Sequence, residues 1–478
     1  MGPNYIVSEK DDAGRQRRCV VGDRKIQPIS DFSGNTSRRH RFFRLLPVRT
    51  SNVYKRLATS NEASYQVLNA LQAFCNSLAS LISSRAVLEG FGVGDPSATA
   101  THALLLTVVQ DFFSRITTIF GAYAFGSSLV PEAKTYRFLA DVLNDAAVIL
   151  DTFSPALSSP SFPVKIPGLR ISALCLSASF RALCGIAAGG SKAAITLHFA
   201  TPVNGNGDVG DLNAKDSSKE TVLALFGMLL GTFIVPKLTS PATIYSALFI
   251  LVGLHLLINY LGVRGLELRS LNRQRAGIAW RAYRLSSGVK VPSPAEVSRA
   301  ENILGRPDVF RDDSGRIIGR CTIGSSFADV FHDHFPAPLL DIFKHERYLL
   351  WYDHQCLYRI PGREGQHVHS AALHLHILLK DGYSAHDQLK AWIHASDLCQ
   401  AVSSASSNKE PDDKSDDALS LIQRTLQGST QGFPDFIENL RGAGWSVEDV
   451  ALMPGSPKAV LTGVEQTEEV VEESRKIR

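Results

Sequence analysis

Apolar residues along this chain are gathered into long runs rather than spread evenly. From Thr221 to Pro236 no residue is charged, and after Lys237 none is charged from Leu238 to Val263 when His255 is neutral. A helix needs ~20 apolar residues to cross a hydrocarbon core of ~30 Å. The second run has that length, and the first reaches it with its ends drawn to the interface. Pro236 and Pro241 mark the turn between them, so 221–263 reads as a membrane-spanning hairpin. Upstream, similar runs separated by Gly- and Pro-rich breaks predict helices over 65–89, 97–123, 132–151 and 170–200. The hairpin helices are placed at 220–236 and 242–263, with an Arg-rich helix from Arg264. Segment 102–130 is apolar apart from Asp111 and Arg115, and 171–200 apart from Arg181 and Lys192. Each is a further span or an interfacial helix, giving a total between two and about six spans.

The pattern changes after Tyr283. Ser293-Pro294-Ala295-Glu296 is a capping box with proline in the first turn, opening a helix through about Leu304. Residues 316–323, 348–352, 356–360 and 371–379 read as strands. Helices are expected over 327–334, from Ser384 through about Cys399, and as two short pieces at 418–427 and 434–442. The fold class is therefore mainly α: a multi-helix, membrane-associated bundle with a smaller, soluble C-terminal α+β domain. The expected domains are a basic, mostly disordered arm over 1–62, the helical membrane domain over 63–284, and the α+β domain over 285–463. The last of these carries a disordered, low-complexity insertion at 401–419, and a charged tail follows from 464 to 478.

Charge sharpens the organisation more than it identifies a partner. Residues 1–60 hold 13 Lys and Arg against 5 Asp and Glu, a net of +8, within a chain whose total is +4. Such an arm suits an anionic lipid surface, a negatively charged partner or nucleic acid, or is simply a solvated tail. The arginines at 264, 269, 273, 275, 281 and 284 put the flank after Val263 on the cytosol-like side. Seven scattered cysteines without a CxxC pair point to a reducing compartment. Residues 2–30 lack the apolar core of a secretory signal, and acidic residues there count against a transit peptide.

Candidate chemistry is sparse. Arg137, Asp141, Asn144 and Asp145 are spaced three and four apart and share one helix face. Two carboxylates one turn apart repel unless a cation, proton or partner is shared between them. In an embedded helix this stripe faces a bundle interior or polar cavity; in water it is a solvated face. His255 and Asn259 are one turn apart in the second hairpin helix, placed to hydrogen-bond across helices or to line a substrate path. Ten of the 14 histidines fall between 332 and 394. The pairs His367/His369 and His374/His376, like His332/His334, have the spacing that puts both rings on one strand face. No Cys or acidic signature completes a metal site, so they are weak ligand candidates and no metal is expected. Gly90, Gly92 and Gly94 follow a helix, not a strand, and read as a C-cap and turn. Gly185, Gly189 and Gly190, like Gly227 and Gly231, have spacings that allow close helix packing.

The middle of the chain resembles the root UV-B sensitive family, whose shared region is also called the vitamin B6 photo-protection and homoeostasis domain. The resemblance is carried by ALQAFCNSLASLISSRAVLEGFGVGDPSATATHALL (70–105), EAKTYRFLADVLNDAAVILD (132–151) and RALCGIAAGGSKAAITLHFA (181–200). It continues through AKDSSKET (214–221), the hairpin, and NYLGVRGLELRSLNRQRA (259–276). Further along, YLLW (348–351), DQLKAWIHA (387–395) and FIENLRGAGW (436–445) resemble the family's C-terminal region. The chain departs from the family at 46–65, which lacks the usual Gly-Tyr-Pro stretch. It departs again at Gly-Gly-Ser-Lys, where Gly-Ala-Thr-Arg commonly follows the double glycine. The resemblance implies a membrane-associated protein linked to vitamin B6 homeostasis, light stress and, in plants, auxin transport, with no established reaction. It also raises pyridoxal phosphate as a cofactor by association, with Lys192 as the residue that could hold it, against a salt-bridged lysine. The expected role is a non-enzymatic scaffold or transport component; the alternative is an enzyme that binds or processes pyridoxal phosphate. The expected partners are membrane lipid and another family member or a second copy of the chain, with no nucleic acid. The expected location is integral to a membrane, in no particular organelle.

Overall fold

A computed structural model describes residues 5–11, 14–21, 26–29, 60–92, 100–126, 128–158, 168–201, 207–312, 314–331, 335–353, 373–406 and 415–466. The chain divides into two compact units, one of residues 50–268 with 302–304, the other of 1–49, 269–301 and 305–478.

The first unit consists of six long helices: α1 (Ser60–Gly90), α2 (Ala100–Phe125), α3 (Ala133–Phe153), α4 (Leu169–Ala200), α5 (Val209–Ile234) and α6 (Pro241–Gly265). α1 packs on α3, α5 and α6, while α4 packs on α2 and α3. Small residues make some of these approaches close. A Cβ at Gly231 would meet Leu81 of α1, one at Gly227 the Phe74 carbonyl, and one at Gly190 Leu129. Gly185 and Gly189, expected to do the same, face open space. Gly92 takes a left-handed φ of +84°, the conformation of a helix C-cap. Among the described residues, four helical stretches are long and apolar enough to cross a membrane: Ala103–Phe125, Leu169–Ala200, Val209–Lys237 and Pro241–Gly265. α5 starts eleven residues before the expected 220, because Asp208 caps it, accepting from the Gly210 and Asp211 N–H groups at 2.8 and 3.3 Å. Much of the stretch between the helices expected at 170–200 and 220–236 is therefore helical.

The second unit is built around an eight-stranded mixed sheet. Its strands are β1 (Tyr5–Asp11), β2 (Gln16–Val21), β3 (Ile26–Ile29), β5 (Val309–Arg311), β6 (Ile317–Ile323), β7 (Tyr348–Asp353), β8 (Leu373–Lys380) and β10 (Ala459–Gln466). The order is β3-β2-β1-β10-β8-β6-β5, with β7 also paired to β8, and β4 (Ser270–Leu271) pairs with β9 (Ser446–Val450). The helices are α7 (Arg273–Leu285), α8 (Pro294–Ala300), α9 (Phe327–Val330), α10 (Pro338–Ile342), α11 (Ala385–Ser406) and α12 (Ser415–Gly442). The core gathers Trp280, Trp392, Tyr348, Phe343 and Phe436, all under 2% exposed. Each described tryptophan with a buried ring directs its indole N–H to a partner: Trp280 to Asp397, Trp392 to the Arg273 carbonyl, Trp445 to the Pro292 carbonyl.

Several expectations change here. Residues 5–29 of the supposed disordered arm contain three strands. Glu9 is buried and accepts from the Ser326 hydroxyl and the Phe327 N–H, which ties β1 to the start of α9. Ala276, Ala279, Trp280 and Tyr283 of α7, which precede the boundary expected at 284, pack into the second unit's core. Of the arginines invoked for orientation, Arg275 is buried, pairing with Glu301 at 3.0 Å, and Arg273 reaches the Leu452 carbonyl. α8 stops at Ala300, with the Asn302 side chain capping the following turn by accepting from the Leu304 N–H. Residues 401–406 and 415–419, assigned to a disordered insertion, belong to α11 and α12; 407–414 lie outside the described residues. The two short helices near 418–442 form one, with Pro434 inside it. The strand expected over 356–360, and the tail beyond Gln466, lie outside the described residues.

Candidate functional site

The stripe on α3 faces the interior of the helical unit. Arg137, Asp141, Asn144 and Asp145 repeat at three- and four-residue intervals, so a single helix face carries all four toward α1 and α6. Asp141 is buried and collects three donors: the Gln72 amide of α1, the Asn259 amide of α6, and the Arg137 guanidinium at 3.4 Å. Asp145 lies 2.8 Å from Nδ1 of His255, both residues being no more than 2% exposed, and accepts from Asn144 at 3.3 Å. Asn144 also donates to Asn76 of α1 at 2.8 Å.

The network extends beyond these residues. Arg137 donates to Asn69 of α1 at 2.8 Å, and the Asn69 amide donates to Glu220 of α5. Glu220 holds Lys192 of α4 at 2.8 and 3.0 Å, and Asp216 lies 3.8 Å from the same ammonium. A run of polar contacts thus joins α6, α3, α1, α5 and α4. Nearly two turns further along α3, Asp151 pairs with Arg181 at 2.6 Å and accepts from Ser83. Two oxygens in this interior have no hydrogen-bond partner among the described residues, Oδ1 of Asn259 and Oδ1 of Asp216. Asp216 borders a small crevice with Tyr65, Lys192, Thr196 and Phe199.

Burying isolated ions is costly, so an interior of this kind persists only when each charge meets a donor or a counter-charge. Here Arg137 and Lys192 face Asp141, Glu220 and Asp216, while Asp145 faces His255. The acidic groups outnumber the permanent cations, an arrangement suited to taking up a proton or a cationic group.

The structure brings together all six polar residues singled out on α3 and α6. Sequence reasoning missed Asn69, Gln72, Asn76 and Glu220. The first three have their own signal, a three-then-four spacing of amides inside an apolar helix. Lys192 sits between two carboxylates as an ion-paired ammonium. That setting repels a phosphate monoester and does not fit a lysine that holds pyridoxal phosphate. In the second unit, His374 and His376 sit on one face of β8, 4.2 Å apart between ring centroids, near the hydroxyls of Thr322 and Ser325. His367 and His369 lie outside the described residues. Among the described residues no cluster of three His, Cys, Asp or Glu side chains could hold a metal.

Comparison with known proteins gives two family matches. Residues 54–287 match a family model described as the vitamin B6 photo-protection and homoeostasis domain, and 367–455 one described as the root UVB sensitive protein C-terminal region. The chain is 34% identical over 256 residues to RUS family member 1 of Dictyostelium discoideum, covering 53% of this chain and 46% of that one. It is 32% identical over 248 residues to protein root UVB sensitive 3 of Arabidopsis thaliana, covering 52% and 53%. The chain spans about half the length of these curated relatives. No solved structure matches.

Proposed function

Because the chain belongs to the root UVB sensitive family, we propose that it is an integral membrane protein with a non-enzymatic role in vitamin B6 homeostasis and light-stress response. The observation that carries this reading is the inverted polarity of the helical unit. Phe120, Phe233 and Ile250 point outward at 69–70% exposure, while Asp141, Asp145, His255 and Asn259 are buried. A water-soluble bundle places these groups the other way round. Charged groups that face the interior of a bundle with an apolar outside are the usual mark of a pathway for ions or polar solutes. The network therefore favours a transport component over a scaffold. The competing reading, an enzyme that binds or processes pyridoxal phosphate, has no observation in its favour, since Lys192 is committed to Glu220.

Alkaline carbonate extraction tests the membrane half: the chain stays in the pellet, and release into the supernatant sinks the reading. Uptake of pyridoxal into proteoliposomes tests the transport half. Uptake by the wild type that falls with Asp141→Asn supports it, and wild-type vesicles no better than empty ones leave the scaffold role in its place.

A further inference from the structure

α2 carries charges where a lone lipid-facing helix does not keep them. Its inner face, with Leu106 and Gly121 buried, packs on α4. Beside that face runs an exposed stripe of Leu104, Val108, Asp111, Arg115, Thr118 and Ala122. The spacing alternates four and three, which is the seam of a left-handed helix pair. Asp111 and Arg115 are the middle of the seam and the middle of a 26-residue helix. At ~1.5 Å per residue each Cα is roughly 15–20 Å from either end, too far for an aspartate to reach the interface. The two pair with each other at 2.8 Å, yet their side chains stay 57% and 77% exposed. In water this is an ordinary surface pair; in hydrocarbon it needs cover.

Resting on the membrane reading above, we propose that this stripe is the contact for a second copy of the chain, α2 against α2 about a two-fold axis along the membrane normal. The occupant has to bring opposite charges within reach of these two, which lipid tails do not. A two-fold copy supplies an arginine and an aspartate there by symmetry. The ~6 Å rise between Asp111 and Arg115 and an interaxial distance of ~8–10 Å are within an arginine's reach. Each Arg115 then lies between its own Asp111 and that of the other copy, closing a neutral cluster of four groups. This self-complementarity is what an isologous interface demands. Charged residues in the seam fix its register, and Thr118 and Ala122 are small enough to let the backbones approach.

The test uses the full chain, fluorescently labelled, in phosphatidylcholine liposomes at low protein density. Photobleaching counts the copies per complex, and a photo-crosslinking residue is placed at Val108 or, on the other exposed face, at Phe120. Two bleaching steps are expected, with crosslinking to a second copy from 108 and not from 120. Asp111→Arg sets four arginines against one another and lowers the paired fraction about tenfold or more. Adding Arg115→Asp restores the opposite charges and the pairing. Single copies of the wild type, pairing indifferent to Asp111→Arg, or crosslinking to another copy from 120 overturns the proposal. Should Asp111→Arg fail to insert, the swapped variant decides alone: inserted pairs support the seam and inserted single copies overturn it. Carbonate extraction of the same liposomes is read separately. Release there removes the membrane reading and the pairing together, whereas retained single copies remove the pairing only.

Discussion

In the helical unit Asp145 and His255 are buried while Phe120 and Phe233 lie open; in the second unit Trp280, Trp392 and Phe436 are buried. The same amino-acid types are sorted in opposite directions in one chain. The second unit follows the rule for water, gathering aromatic area and giving each buried indole N–H a partner. The helical unit holds its interior together with directed polar contacts, and its small core clusters, such as Ala79, Val148, Leu248 and Val252, flank the network rather than replace it. The contrast teaches that specificity is purchased differently on the two sides: by volume in one, by donor and acceptor matching in the other.

The strongest way to break the contrast is Asp141→Leu. Three donors would lose their acceptor and Arg137 its counter-charge, so the helical unit should lose about 3–5 kcal/mol. Thermal unfolding in detergent measures it. A neutral or stabilising outcome would mean that this interior is interchangeable with an apolar one. The counterpart is Leu378→Ala, fully buried in β8, which should cost roughly 3 kcal/mol through lost contacts and a residual cavity. Hydrogen exchange of the second unit's amides reads that loss. Equal protection in variant and wild type would show that the sheet's core is looser than its packing implies.

A smaller effect concerns a buried histidine of the second unit, His394, set between the Tyr348 hydroxyl at 3.1 Å and the Thr425 hydroxyl at 3.0 Å. Burial pushes its pKa down to about 3 from the ordinary 6.5. The folded form thus stays neutral while the unfolded chain takes a proton below pH 6.5. Stability is complete above that pH and is lost as pH falls from 6.5 toward 3, by about 2 kcal/mol at pH 5. His394→Gln should flatten this part of the pH–stability curve relative to wild type. An unchanged slope would place the acid sensitivity elsewhere.

These contrasts were partly legible in the sequence. The two hairpin helices were visible because charge-free runs of this length have few other uses, the four before them as runs between Gly- and Pro-rich breaks, and the α3 stripe because its spacing matches the helical period. The partners of that stripe were not visible as partners. Asn69, Gln72 and Asn76 are uncharged amides, and local spacing cannot say that α1 rather than α2 faces α3. Glu220 and Lys192 are joined only by the packing of α4 against α5. The N-terminal strands were hidden for a related reason. β1 pairs antiparallel with β10, Tyr5 opposite Gln466, so its order depends on a segment more than 450 residues away. Its own Glu9, Lys10 and Asp11 look like a solvated arm until Glu9 is seen buried against Ser326. Strand formation of this kind is set by tertiary pairing, which local composition does not report.

The smallest predicted effects test whether close approach in the helical unit is as specific as its polar contacts. Gly231 lies against Leu81 of α1 so tightly that an added Cβ would overlap the leucine's methyl, with Leu78 also near. Gly231→Ala should therefore force α1 and α5 apart or drive Leu81 off its rotamer, at about 1–3 kcal/mol. Gly185 shares the composition and the helical setting but meets nothing within 4 Å. There alanine only narrows the unfolded ensemble and favours the helix, so Gly185→Ala should gain about 0.5–1 kcal/mol. The two variants differ by position alone, and melting temperatures measured side by side in one detergent give opposite signs. Equal shifts would mean that the α1–α5 contact yields as readily as open surface. The polar network would then be the only part of the helical unit that fixes one helix against another.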